Sequence, residues 1–327
     1  VMQLVDQGEI AYGVTTGFGA FKKKLIPPAQ AAELQTNLLR SHAAGVGPIA
    51  DEETTRAMLL VRANTLAKGF SGVRVDVVTR LLDLISHGVV PVVPMQGSLG
   101  ASGDLAPQAH LALVLIGEGE ALYHGQRMPG REALERAGLE PLALEAKEGL
   151  ALINGTAMMT GLGSLVTRRA EQLVRAAEVA GAMSLEALRG TGAAFDPRLI
   201  DVRPHPRAVD AANHIRSLIA GSELLRPHDP TDIQDAYSLR CMPQVHGAAR
   251  DAVAYAHWVL EIELNSANDN PLVFLDDAGR AEVVSGGNFH GAPVAMAMDY
   301  LAMALTDLGS ISERRQARLV DPTKHDG

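Results

Sequence analysis

Apolar residues recur along this chain mainly at the three- and four-residue spacing of an α-helix. In 161–190, leucine, valine and alanine form one face, and arginine and glutamate form the other. The segments 244–264 and 292–315 are also rich in Ala and Leu, with few β-branched residues. This composition predicts long helices that pack closely. Shorter helices are predicted near 29–44, 51–67, 73–87 and 105–117.

Alternation of the kind found in β-strands is limited to short segments. PLVFLDDAGRAEVVSGG, at 271–287, predicts a hairpin with Asp-Asp-Ala-Gly as its turn, and EALYHGQRMPG, at 120–130, predicts another. We therefore predict a mainly α fold with short β-hairpins. Residues 1–160 form an N-terminal part of shorter helices and loops, and residues 161–327 form a bundle of long antiparallel helices.

Composition and charge exclude several classes of function. Of the residues, 47% are hydrophobic and 20% are charged, which is typical of a globular protein. The net charge of −9, from 38 acidic and 29 basic residues, argues against a nucleic-acid partner, because nucleic-acid surfaces are clustered and positive. The longest apolar runs, such as LALVLIG at 111–117, are too short to span a bilayer, so no membrane partner is expected.

The single cysteine, Cys241, excludes an internal disulfide and is typical of a reducing compartment. No signal-peptide pattern is visible, so we predict a cytoplasmic protein. The chain starts at Val1 inside an amphipathic segment and ends with RLVDPTKHDG on a turn. We therefore expect a fragment of a longer protein.

Candidate chemistry is concentrated in polar, Gly- and Asn-rich loops between the helices. GSLGASGD does not end in the GK[ST] of a phosphate-binding loop and does not fit the GxSxG of serine hydrolases. The histidines are scattered, with neither HExxH nor CxxC, so no metal site is expected. The loops are YGVTTGFG (12–19), GSLGASGD (97–104), LINGTA (152–157), QDAYSLRCMPQ (234–244) and SGGNFHG (285–291).

Together with NSANDNP at 265–271, these loops resemble signatures of the histidine and aromatic amino-acid ammonia-lyase family, in the family's order and over the whole chain. GSLGASGDLAP is similar to the segment in which Ala-Ser-Gly cyclises to a ring. The resemblance implies a 4-methylidene-imidazol-5-one formed autocatalytically from Ala101, Ser102 and Gly103, with no metal and no pyridoxal phosphate. It also implies the fold shared by ammonia-lyases and fumarases, and a homotetramer whose active sites are shared between subunits. Members of the family are longer, so the resemblance implies that the helical bundle at 161–327 is incomplete at its C-terminal side.

An electrophile built from the backbone answers a chemical need. Eliminating ammonia from an amino acid removes a weakly acidic β-proton and expels a poor leaving group, and ordinary side chains supply no strong electrophile. Ring closure requires a tight bend, which Gly100 and Gly103 permit. Asp104 either assists the proton transfers or caps the helix that begins near Leu105, and both alternatives remain open at this point. The N-terminus of that helix would favour negative charge on the ring.

The resemblance assigns roles to further residues. Tyr12 would remove the β-proton, although its ordinary pKa of about 10 must first be lowered. Arg240 would bind the substrate carboxylate, which suits a planar bidentate donor. Without the resemblance, these side chains would be interpreted as an ordinary tyrosine and a surface ion pair. Tyr237, Asn154 and Gln234 would form hydrogen bonds with the substrate and the ring, Phe289 would pack on the substrate, and Gly19 and Asp104 would support the site.

Ser41-His42, in LLRSHAAGVG, resembles the form found in the histidine-specific members. His42 would bind an imidazole, and the expected reaction converts the small-molecule substrate L-histidine to trans-urocanate and ammonia. Ala236 departs from the proline expected between Asp235 and Tyr237. The alternatives are a phenylalanine or tyrosine ammonia-lyase, an aminomutase, and, from another class, an inert fragment or a structural or binding homologue. The GSSxMPxKxN-type loop of fumarases does not occur in the sequence.

Overall fold

The structure is a computed structural model that describes residues 1–11, 13–17, 25–27, 30–227 and 234–322. These residues are mainly helical, as predicted. The helices are α1 (Met2–Asp6), α2 (Ala31–His42), α3 (Glu52–Ala67), α4 (Val75–Ser86), α5 (Leu105–Leu115), α6 (Gly130–Arg136), α7 (Glu148–Ile153), α8 (Ala157–Ala187), α9 (Pro197–Asp201), α10 (Pro206–Leu218), α11 (Tyr237–Arg240), α12 (Met242–Leu264) and α13 (Ala292–Leu319). The strands are β1 (Val46–Ile49), β2 (Val89–Pro91), β3 (Pro94–Gln96), β4 (Glu120–Tyr123), β5 (Gln126–Pro129), β6 (Leu272–Leu275) and β7 (Ala281–Val284).

The helices expected from the periodicity are all present, with ends shifted by a few residues. The largest shift at a helix start is in α8, which begins at Ala157 where the pattern predicted a start near 161. A distant carboxylate explains this early start, because Asp104 accepts a hydrogen bond from the backbone N of Met159 in the first turn. The amphipathic pattern cannot register a cap that comes from another part of the chain.

Both predicted hairpins are confirmed, and one of them gains a strand. In β4 and β5, Tyr123 pairs with Gln126 across the turn, and β2 adds to the far edge of β4 with Val89 opposite Tyr123. Strand β6 pairs with β7 around a turn at Gly279. The additional strands are short, and their partners are distant in sequence, so local alternation did not reveal them.

Contacts divide the chain into two compact units. The first contains Val1–Gly163 and Leu260–Ala295, and the second contains Ser164–Val259 and Met296–Gly327. The sequence predicted one boundary, between residues 160 and 161. It therefore assigned residues 260–295 to the bundle, whereas the contacts assign them to the first unit. This segment contacts the first unit through bonds such as Val273 N to Phe70 O, at 2.8 Å. Helices α8, α12 and α13 each contribute residues to both units.

The core of the first unit surrounds α5, which is apolar on every side. Leu111, Val114 and Leu115 in this helix are fully buried, with Leu59 of α3 and Leu81 of α4 in the same cluster. A helix without a polar face is stable only when neighbours cover it all round. Since α5 begins directly after GSLGASGD, this loop is attached to a helix that lies almost wholly inside the core of its unit.

The second unit has its own core, built on the apolar faces of its long helices. Leu185, Ile215 and Leu308 are among its buried members. Helix α13 is long and apolar enough to cross a membrane, by length and composition alone, although the apolar runs in the sequence are short. Core helices of soluble proteins pass the same test. Met296 and Met303 of this helix are largely exposed.

Candidate functional site

The loop before α5 turns back on itself at the predicted ring-forming residues. Gly100 and Gly103 both have φ in the left-handed region, at +76° and +72°, and the Gly103 N lies 3.3 Å from the Gly100 O. Gly103 is buried, Ser102 is half-buried and Ala101 is exposed. The chain therefore bends tightly where an amide nitrogen must approach a carbonyl two residues earlier.

Backbone-to-backbone contact leaves no space for side chains beside this bend. A Cβ on Gly103 would overlap the Gly155 carbonyl, and a Cβ on Gly155 would overlap the Asn268 carbonyl. The Gly155 O accepts hydrogen bonds from Asp104 N, at 2.7 Å, and from Gln108 Nε2, at 2.8 Å. The segments GSLGASGD, LINGTA and NSANDNP thus lie against one another in three layers.

SGGNFHG joins the same cluster within the first unit. Gly291 N donates to Gly100 O at 2.8 Å, and Gly286 N donates to the Oδ1 of Asn270 at 2.7 Å. Phe289 is half-buried in this loop. The structure therefore brings together four of the sequence motifs on which the resemblance was based.

Asp104 does not cap its own helix, so that alternative is wrong. Its side chain makes no hydrogen bond to the first turn of α5. Instead, Oδ2 accepts from Met159 N at 2.8 Å, and Oδ1 lies 3.1 Å from the Ser98 hydroxyl. Desolvation raises the pKa of Asp104 to about 6, although the hydrogen bonds from Met159 and Ser98 oppose this rise. Its assistance to proton transfer stays a prediction.

The Asn154 side chain is held by residues more than a hundred positions away, not by a local turn. Its Nδ2 lies 3.3 Å from Asp269 Oδ1 and 3.1 Å from Asn270 O. Both partners are acceptors, so the nitrogen end of the amide must face them. The oxygen end therefore faces the opposite side and is the end that could accept a hydrogen bond from a ligand.

Buried charges lie directly behind Asn154. The Nζ of Lys147 and Oδ2 of Asp269 are 2.6 Å apart, and neither side chain is exposed. The fully buried Arg62 donates from Nη1 to the Asn154 O at 2.8 Å and from Nη2 to the Ala151 O. Desolvation lowers the pKa of Lys147, although Asp269 partly offsets it, and desolvation lowers the pKa of Arg62 to about 10.

His42 ends α2 and is half-buried. Its Nδ1 lies 2.9 Å from the Leu38 O and 3.0 Å from the Ser41 hydroxyl. A carbonyl can only accept, so Nδ1 carries the proton when the ring is neutral. Nε2 then has a lone pair that could accept from an imidazole N–H.

In the second unit, Tyr237 and Arg240 are the first and last residues of α11. The Arg240 guanidinium lies 4.5 Å from the centre of the Tyr237 ring, a cation–π distance. Among the described residues no carboxylate forms an ion pair with Arg240, and its buried Nε has no hydrogen-bond partner there. Gln234 and Tyr237 are exposed. Ala236 has φ −60°, a value that the expected proline would also adopt.

The family model for aromatic amino acid lyases matches residues 1–327. The chain belongs to the aromatic amino acid lyase family. It is 59% identical to a histidine ammonia-lyase of Chloroflexus aurantiacus, over 98% of this chain and 61% of the relative. It is 56% identical to that of Myxococcus xanthus, over 96% of this chain and 61% of the relative. It thus spans about three fifths of the length of these curated relatives.

Solved structures of aromatic amino acid lyase type agree with the fold. Histidine ammonia-lyase from Trypanosoma cruzi has a TM-score of 0.89 and 43% identity, covering 99% of this chain and 60% of that one. Tyrosine aminomutase from Streptomyces globisporus has a TM-score of 0.91 and 44% identity, covering 98% of this chain and 63% of that one. The ammonia-lyase type of fold is therefore confirmed.

Two residues assigned from the lyase family resemblance, Tyr12 and Gly19, lie outside the described residues, and their roles stay predictions.

Sequence reasoning missed the buried ions Arg62 and Lys147. It also missed Arg315, whose buried guanidinium lies 3.3 Å from the Ser238 O of α11 and 3.4 Å from His246. Arg315 ends the segment SISERR, at 310–315.

Proposed function

We propose that the protein containing this chain eliminates ammonia from L-histidine to give trans-urocanate. The observation that carries the proposal is the tight bend at Gly100–Gly103, with Gly103 held against Gly155 where no Cβ fits. Such an arrangement suits a reaction of the backbone itself. The histidine preference is supported by the names of the relatives and by His42. The Nδ1 of this residue, and not its Nε2, bonds to its own helix.

The residues present fit the electrophile that the family implies. Ring closure uses the backbone nitrogen of Gly103, which loses its N–H. It also expels the hydroxyl of Ser102, a residue that is partly open to water. When formed, the 4-methylidene-imidazol-5-one supplies the electron sink that ordinary side chains lack. Arg62 and the Lys147–Asp269 pair hold the Asn154 loop, against which Gly103 lies.

The remaining roles follow from the chemistry of each side chain. Tyr12 removes the β-proton. Arg240 binds the carboxylate with its planar fork, and Tyr237 and Gln234 donate hydrogen bonds. His42 accepts from the imidazole, and Phe289 packs on its face. We also propose that Asn154 contacts the ligand, that Gly19 and Asp104 support the site, and that the enzyme is a cytoplasmic homotetramer with shared active sites.

An aminomutase acting on tyrosine is the second candidate, because a tyrosine aminomutase structure is 44% identical. Ser41-His42 disfavours it through the resemblance alone, because Ser-His is the form of this segment in the histidine-specific members. Product analysis separates the two: a lyase releases ammonia and an unsaturated acid, whereas a mutase returns an amino acid.

The first experiment is the mass of the tryptic peptide from Leu81 to Arg127, which contains the ring-forming residues and no internal Lys or Arg. A mass lower by two waters supports the electrophile, and Ser102→Ala is the matched control that cannot form it. Urocanate release is then measured with the protein expressed together with any adjoining coding sequence. An unmodified peptide, or a modified enzyme that releases no urocanate from L-histidine, would overturn the proposal.

A further inference from the structure

Both polar atoms of the peptide unit between Gly103 and Asp104 are held. The Asp104 N donates to the Gly155 O at 2.7 Å, and the Gly103 O accepts from the Ser98 hydroxyl at 2.9 Å. A planar peptide fixed at both its N–H and its C=O has a single orientation. That orientation fixes the position of the Gly103 α-carbon, so the Gly103 nitrogen attached to it can move only by rotation about the Cα–C bond.

We propose that Ser98 is a positioning residue for closure of the electrophile ring, acting as the second half of a clamp with the Gly155 carbonyl. This proposal rests on the proposed function and extends it to a residue that the family signature does not use in the ring. Ser98 lies five residues before Gly103 in the same loop, whereas Gly155 belongs to another loop. Gly103 is thereby held from both directions.

The ring-closing chemistry explains why orientation matters. The Gly103 nitrogen attacks the Ala101 carbonyl carbon and forms a C–N bond. The carbonyl oxygen leaves as water with the protons of the Gly103 and Ser102 nitrogens, giving a C=N bond to the Ser102 nitrogen. A second water leaves as the Ser102 hydroxyl with the α-proton, which gives the exocyclic C=C bond. The first step requires alignment of an amide nitrogen, a poor nucleophile, so misorientation slows it strongly.

Asp104 completes the hydrogen-bonding pattern around Ser98. The Ser98 hydroxyl has one proton and two oxygen neighbours, Gly103 O at 2.9 Å and Asp104 Oδ1 at 3.1 Å. Both oxygens are within hydrogen-bond reach, so the peptide oxygen and the carboxylate share this proton. Within the described part of the chain, the Gly103 O accepts from no other donor. Removing the hydroxyl therefore releases this end of the peptide.

Loss of the hydroxyl is expected to spare the fold. Ser98 is exposed, and one neutral hydrogen bond contributes about 1 kcal/mol. A Ser98→Ala chain should therefore fold and close its ring slowly. Ser98→Thr keeps the hydroxyl and should restore most of the rate. Ser86→Ala removes a hydroxyl that bonds to its own helix, lies in the same tryptic peptide, and is the matched control.

The test follows the mass of the Leu81–Arg127 peptide with time after synthesis is stopped, with circular dichroism to establish folding. We expect the loss of two waters to be about tenfold slower in Ser98→Ala than in the wild type, or in Ser86→Ala. Equal rates in the wild type and Ser98→Ala overturn the role of Ser98 alone. An unmodified wild-type peptide overturns the proposed function and this role with it. If Ser98→Ala does not fold, a slow Ser98→Thr chain that folds normally also overturns the proposal.

Discussion

In the first unit Gly103 lies between backbone atoms of other loops, whereas in the second unit Tyr237 and Arg240 stand on a one-turn helix with their side chains partly in solvent. In the first arrangement no side chain can change its rotamer to make space, so the backbone atoms can separate only if whole loops shift. The second is held from behind by the buried Arg315 at the Ser238 O. Chemistry made from the backbone is therefore expected to fail abruptly on substitution, and binding by side chains is expected to weaken gradually.

The largest effect is expected from Gly103→Ala. The new Cβ would overlap the Gly155 carbonyl, so the two loops must separate and the ring should not form. We expect the free energy of unfolding to fall by about 4 kcal/mol or more, which is the range of disruptive core changes. Denaturant unfolding measures the stability, and the mass of the Leu81–Arg127 peptide measures the ring.

Gly125→Ala separates the effect of backbone strain from that of lost space. Gly125 has φ +75°, much as Gly103 does, but nothing lies within 4 Å of its Cβ position, and it is in the same peptide. This variant should lose only about 1–2 kcal/mol and keep its ring. If both alanine variants behave alike, close approach of the loops is not what distinguishes Gly103.

A slightly smaller loss is expected from Lys147→Met. The change leaves Asp269 charged and fully buried without its partner, which typically lowers stability by about 3–5 kcal/mol. Replacing both residues, as Lys147→Met with Asp269→Asn, should recover much of this loss, because an asparagine oxygen can still accept from Asn154. Chemical unfolding of the two variants gives the comparison.

Arg40→Met is the control for the buried pair. Arg40 and Glu118 form a bidentate pair at the surface, where solvent screens the charges. We expect its loss to lower stability far less than the loss of Lys147 does, because exposed ion pairs contribute little. A Lys147→Met chain as stable as Arg40→Met would contradict the view that buried charge holds the Asn154 loop.

Much of this fold was predictable because its signals are local. Helical periodicity located α3, α4 and α12 within a few residues, and Asp-Asp-Ala-Gly located the turn between β6 and β7. The start of α8 was not predictable, since the carboxylate that caps it belongs to Asp104. The capping alternative for Asp104 was wrong for the same reason: its partner is near in space and distant in the sequence.

The motif residues of the candidate site were found by resemblance, but their supports were not. Lys147 looks like any surface lysine in EAKEGLALING, and only the fold buries it against Asp269. Ser98 is one of two serines in a glycine-rich loop, and its contact with the Gly103 carbonyl depends on a bend that no pattern encodes. Long-range pairing of polar groups leaves little trace in a single sequence.

The pH dependence of stability should have opposite signs in the two units. The pKa of Asp104 in the first unit is raised to about 6, so its contribution is full below pH 3.8 and is lost as the pH rises to about 6. The pKa of His246 in the second unit is lowered to about 4 by desolvation and by Arg315, so its contribution is full above pH 6.5 and is lost as the pH falls to about 4. Each is on the order of 3 kcal/mol.

Asp104→Asn and His246→Gln test this contrast. Between pH 4 and 6, Asp104→Asn should make stability rise more steeply with pH than in the wild type, because it removes a contribution that falls. His246→Gln should make the rise shallower. Urea unfolding at several pH values gives the slopes. Parallel slopes for all three proteins would show that neither group is shifted by its surroundings.

The smallest effect on the fold is expected from Arg240→Lys. An ammonium cannot bind a carboxylate with two parallel hydrogen bonds, so KM for L-histidine should rise about tenfold, or ~1.4 kcal/mol. Stability should change by less than about 0.5 kcal/mol, and the ring-containing peptide should keep its mass, since Arg240 belongs to the second unit. Arg207→Lys, at an exposed pair with Asp210 in the same unit, is the control. If the peptide of the Arg240→Lys enzyme is unmodified, ring formation depends on the second unit. Abrupt loss of activity would then no longer distinguish substitutions in the first unit from those in the second.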